Sequence, residues 1–199
     1  MVPKSLGVKS AKGLDGASVC IQTGTTTELN LAEYFKGNNI KYNPVPIETN
    51  AESQELYKAG RCYVYTTDAS GLYATMMSFD NPSDHMVLPE IVSKEPLGPV
   101  VRHGDDQWAD IVSWVLRAMM AAEEKGITSK NVKELAAKDN KDKEINRLLG
   151  KDPLQGLSKL GLSPDWAVNV ISQVGNYQES FEKHLFPLTI KRGMNALYR

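Results

Sequence analysis

The chain has 199 residues, 41% apolar and 24% charged, with a formal net charge of -1. So balanced a charge leaves no electrostatic footprint for nucleic acid and no basic patch for a membrane surface. No run approaches the ~20 apolar residues of a membrane span, and the amino-terminal MVPKSLGVKSAKG lacks the apolar centre of a signal peptide.

The predicted elements alternate at first. Residues 17–23 (ASVCIQT) read as a short strand. Thr25 to Thr27 cap a helix over about 28–36 with Leu29, Leu31, Tyr34 and Phe35 as its apolar residues, and Gly37 stops it. NIKYNPVPIE is a second strand whose prolines suit an edge. Asn50 opens a helix closed by Gly60. CYVYTTD is a third strand, ASGLYATMMSF a third helix, and HMVLPEIV a fourth strand. This order makes βαβ units and a mostly parallel sheet, an α/β domain over 5–92. KEPLGPVVR follows as a crossover or hinge, residues 93–104. From Asp105 to residue 199 the pattern is helical. Asp105 caps a helix that Gly126 ends, with Trp108, Ile111, Val112, Val115, Leu116 and Met119 on one face. Shorter helices are predicted after Ser129, near 143–149, and after Ser163-Pro164, with serine as cap and proline first. A last one is predicted over 188–199. This stripe has no strand set of its own to cover.

The chemistry concentrates at two strand ends. In TGTTTE, a helix N-terminus offers unpaired N–H groups and positive partial charge, which suits an anion. Gly24 lets the backbone come close, and Thr25, Thr26 and Thr27 supply more hydroxyls than one cap needs. The plain alternative is a well-capped helix with a polar turn. In YTTDASGLY, Asp68 stands at another strand end, where a carboxylate can pair with an α-ammonium group; the alternative is an ordinary N-cap. Together the two halves describe a receptor for a zwitterion at the carboxyl edge of a parallel sheet. Cys20 and Cys62 each open a strand that leads into a polar turn. As neighbours they can form a disulfide; otherwise they are two buried thiols. His85, His103 and His184 have no metal-ligand spacing, and no nucleophile or phosphate-loop motif is present. The chain is therefore read as a non-enzyme, without metal or cofactor.

LDGASVCIQTGTTTELNL, AGRCYVYTTDASGLYA, LPEIVSKEPLGPVVRHGDDQW and QVGNYQESFE resemble the general L-amino-acid substrate-binding proteins of ABC transporters. These are periplasmic type II binding proteins with two lobes and a two-strand hinge. The resemblance covers nearly the whole chain. It implies capture of free L-amino acids for delivery to a membrane permease. It also implies that Gly24-Thr25-Thr26 holds the ligand α-carboxylate and Asp68 the α-ammonium group. It makes 5–92 the second lobe, and 105–199 the helical remainder of the first. Tyr63 stands where the family has an acidic residue, and the segment after Leu185 is shorter than the family pattern. The family is also longer at the amino terminus, so this chain is expected to be an amino-terminally truncated receptor. Its ligand binding is then weakened, and it forms a homodimer through carboxyl-terminal helices that have lost their sheet. The competing expectation is a non-binding, self-associating or partner-recruiting domain. A periplasmic location is implied by resemblance alone.

Overall fold

The computed structural model describes residues 1–95, 97–151 and 160–197. The chain divides into two compact units, Met1–Pro96 and Leu97–Arg199.

The first unit is α/β. β2 (Ala17–Gln22) leads into α1 (Thr26–Gly37), β3 (Tyr42–Ile47), α2 (Asn50–Lys58), β4 (Val64–Tyr65) and α3 (Ala69–Met77). The three strands are parallel in the order β3-β2-β4. Side chains of a strand alternate between faces, and the unit uses both. Val19, Ile21 and Val64 pack with Leu31 and Phe35 of α1. Cys20 and Tyr65 pack with Tyr57 of α2 and Leu72 of α3 on the other side. Pro44 and Pro46 are tolerated because β3 is an edge strand, as the sequence suggests.

Three predicted strand features differ. β4 is two residues long rather than seven, because the chain turns into α3 directly after Tyr65. HMVLPEIV is a strand only at β5 (His85–Met86), which pairs antiparallel with β1 (Val2–Pro3). Met1 and Val2, before the 5–92 span, are buried in this unit. Met1 and Tyr65 exchange both backbone hydrogen bonds, the Met1 amine donating to the Tyr65 carbonyl at 2.8 Å. Burial lowers the pKa of that amine from 8.0 to about 5.

The second unit is helical, with α4 (Asp106–Glu124), α5 (Val132–Ala137), α6 (Lys143–Leu148), α7 (Trp166–Val174) and α8 (Tyr177–Leu185). Asp105 caps α4 by accepting from the Trp108 N–H at 3.1 Å. α4 packs on α7 and α8 with Ala118 and Ala122 buried, whereas Trp108, Trp114, Leu116 and Met120 stay exposed. Ala122, Ile127, Val132, Leu149 and Ile171 form the core. The predicted start of α7 at Ser163-Pro164 is replaced by Asp165 as the preceding residue. Gly175, at φ 84°, separates α7 from α8, and Asn176 with Glu179 forms a capping box that starts α8. No helix runs over 188–197. Thr189 is left-handed (φ 61°), and only a single turn follows at Gly193–Asn195. Tyr198 and Arg199 lie outside the described residues. Arg192 forms a forked ion pair with buried Glu123 at 2.5 and 3.0 Å.

Candidate functional site

From β2 the chain moves outward to β3, then crosses back over β2 to reach β4. The order therefore reverses between β2 and β4, and the carboxyl ends of that strand pair flank the crevice where open α/β sheets take ligands. The ladder pairs Val19 with Val64 and Cys20 with Tyr65. One turn further along, the same edge carries Thr23–Thr27 from β2 and Thr66–Asp68 from β4. All five predicted binding residues thus stand at one edge of the sheet. Gly24, Thr26 and Asp68 are exposed; Thr25 and Thr27 are half-buried.

The Gly24 turn is built locally. Gly24 has φ 71°, a left-handed conformation that costs side-chain-bearing residues; a Cβ there would meet open space, so backbone rather than crowding selects glycine. Thr25 is the N-cap, its hydroxyl accepting from the Glu28 N–H at 3.3 Å and donating to the Gln22 carbonyl at 2.7 Å. Thr23 is spent on β3, donating from its N–H and its hydroxyl to the Ile47 carbonyl at 2.9 and 3.3 Å. The Thr26 and Thr27 hydroxyls have no hydrogen-bond partner among the described residues, nor do the N–H groups of Thr25, Thr26 and Thr27. Glu28, which the sequence reading left unassigned, accepts from the Gly24 N–H at 2.8 Å. The T-x-x-E spacing of a capping box was the signal for it. The pattern recurs at α2, where Thr49 caps and Glu52 reaches back to the Glu48 N–H at 3.4 Å.

α3 lacks this arrangement. Asp68 occupies its N-cap position, yet the carboxylate makes no capping hydrogen bond, and no acidic residue stands in the first turn. One helix start at this edge thus leaves its N–H groups open, and the other leaves a carboxylate free. Next to them, Tyr65 donates its hydroxyl to Asn50 Oδ1, joining the end of β4 to the start of α2.

Cys20 and Cys62 form a disulfide with Cα atoms 5.6 Å apart. A cleft of about 450 Å³ lies at the opposite, amino-terminal edge of β4, between the ends of α2 and α3. None of the five predicted residues lines it. In it Tyr57 shares a 2.8 Å hydrogen bond with His85 Nδ1, and burial lowers the His85 pKa. These two residues lie 28 apart in sequence, and no local pattern links them. Among the described residues no group of acidic, histidine and cysteine side chains could hold a metal ion.

No family model matches the chain. It is 56% identical, over 202 aligned residues and all of its length, to the general L-amino acid-binding periplasmic protein AapJ of Rhizobium johnstonii, covering 59% of that protein. It is 54% identical, over 98% of its length, to the glutamate/glutamine/aspartate/asparagine-binding protein BztA of Rhodobacter capsulatus, covering 58% of it. Among solved structures, it matches an ABC transporter periplasmic binding protein from Brucella ovis with glutathione bound. There the identity is 49% and the TM-score 0.90, covering 98% of this chain and 62% of that one. The chain thus spans less than two thirds of the length of each. The relatives are binding proteins and not enzymes, in agreement with the non-catalytic reading. With over half of its residues identical to theirs along almost its full length, the chain is similar to these amino-acid-binding proteins over somewhat less than two thirds of each.

Proposed function

We propose that this chain binds free L-amino acids, as part of the periplasmic substrate-binding component that serves an ABC permease. Met1–Pro96 is the second lobe of a type II binding protein, and the helices after residue 105 belong to its first lobe. The α-carboxylate is taken by the Gly24-Thr25-Thr26-Thr27 turn and the α-ammonium group by Asp68. The observation that carries this is the uncapped Asp68 carboxylate at the same strand edge as the open N–H groups of Thr25–Thr27. Opposite charges at that edge match both ends of a zwitterion.

Calorimetry with glutamine, glutamate, histidine and glutathione tests this reading. Glutathione belongs in the set because its γ-glutamyl end keeps a free α-ammonium and α-carboxylate, and because the Brucella ovis protein holds it. Saturable binding of at least one of them with a dissociation constant below about 1 mM is expected, and no binding up to ~10 mM would overturn the reading.

A second reading is favoured by α4, where Trp108 is 52% and Met120 45% exposed. Large apolar side chains left in water favour association, so the second unit self-associates as a homodimer. Sedimentation showing a monomer at micromolar concentration would contradict it.

A further inference from the structure

We propose that the Cys20–Cys62 disulfide positions the amino-acid site, by fixing β4, and with it Asp68, against β2 and its Gly24–Thr27 turn. The proposal rests on the reading of that edge as the ligand site; the effect of the bond on β4 does not.

β4 is poorly held by backbone alone. Its ladder with β2 has two residue pairs, whereas the β2–β3 ladder has six, from Ala17–Tyr42 to Gln22–Ile47. Just before it, the Tyr63 N–H reaches the Ser18 carbonyl at 3.0 Å, and on its other side it meets the single residue Met1. So short a strand opens easily, because each backbone bond shares the fate of its few neighbours. Asp68 follows only three residues after Tyr65, so opening of β4 carries it away from Gly24.

The disulfide supplies what the ladder lacks. Cys20 lies in β2 opposite Tyr65 of β4, and Cys62 lies two residues before β4 begins. Both are buried, at 0% and 1% exposure, in the apolar cluster formed with Ile47, Tyr57, Leu72 and Phe79. The bond spans 42 residues of sequence, and the closed loop contains the Gly24–Thr27 turn, α1, β3 and α2. A cross-link over so long a loop removes much freedom from the opened chain.

Amide hydrogen exchange on the oxidised chain and on the Cys20→Ala/Cys62→Ala double variant tests the proposal. In the oxidised chain, the amides of Tyr63, Tyr65 and Leu72 are expected to be protected within about tenfold of those in β2. In the double variant they lose about 100-fold or more, while amides of β3 and α1 change by less than about threefold. A uniform change across the unit overturns the proposal. So does an oxidised chain in which β4 exchanges like a frayed end, a result that needs no variant. Affinity supplies a readout that general destabilisation does not move. If the bond acts through Asp68, then Asp68→Asn lowers glutamine affinity at least about tenfold in the oxidised chain and less than about threefold in the double variant. Equal losses in both backgrounds overturn the positioning role. Absence of glutamine binding by the oxidised chain overturns the receptor reading instead, and leaves the exchange result to decide the role of the disulfide in holding β4.

Discussion

Gly24 and Asp68 respond to substitution for different reasons. Gly24 sits at φ 71°, so Gly24→Ala introduces backbone strain where there is room for the methyl group. A loss of about 1 kcal/mol in urea unfolding is expected. Asp68 is exposed and makes no capping bond, so Asp68→Asn is expected to leave stability within about 0.5 kcal/mol. Its effect belongs in ligand affinity. A large fall in unfolding free energy for Asp68→Asn would mark it as a structural cap and remove the main argument for its role. Thr25 is the reverse case: it caps α1, and Thr25→Ala is expected to cost about 1 kcal/mol of stability.

Among the elements, the helices were legible and the short strands were not. α1, α3 and α4 start where the sequence places them, because Thr25, Asp68 and Asp105 sit where the chain turns into each helix, whereas Leu29 of α1 and Trp108 and Leu116 of α4, expected on apolar faces, are exposed. β4 and β5 read as strands of seven and eight residues and are two residues each, since β-branched and aromatic residues suit any half-buried extended segment. β1 and its pairing with β5 join residues more than 80 apart, a contact no local pattern carries. The stretch over 188–197 has helical composition, yet Thr189 is left-handed and Arg192 reaches back to Glu123 of α4. The five candidate binding residues are picked out by type and strand position alone. The T-x-x-E spacing signals that Glu28 takes the Gly24 N–H; no local pattern says that Asp68 leaves its own helix uncapped. The Glu123–Arg192 pair is nearly buried, with 3% and 13% side-chain exposure, and the Arg192 guanidinium also stacks on Tyr177 and Phe181. Arg192→Met leaves Glu123 buried without its cation and is expected to cost about 3–5 kcal/mol, read by thermal or denaturant unfolding.

Over the whole molecule, acid is destabilising in a definable window. The Met1 amine has a folded pKa of about 5 against 8.0 in its ordinary state. Between those values the unfolded chain holds a proton that the folded chain has released. Stability therefore rises with pH from 5 to 8, by up to about 1.4 kcal/mol per unit, and is lost as pH falls through that range. The lowered pKa of His85 acts in the same direction. Denaturant midpoints measured across this window should climb, and acetylating the Met1 amine should flatten the climb. A flat profile in the unmodified chain would mean that the amine is solvated.

The claim that the carboxyl edge between β2 and β4 grips both charged ends of an amino acid is tested most directly by titrating glutamine into the chain while following its backbone amide resonances. The account predicts saturable shifts confined to Gly24–Thr27 and Thr66–Ala69, abolished by Asp68→Asn. Shifts centred instead on Tyr57, Phe79 and His85, or none at concentrations up to ~10 mM, would contradict it.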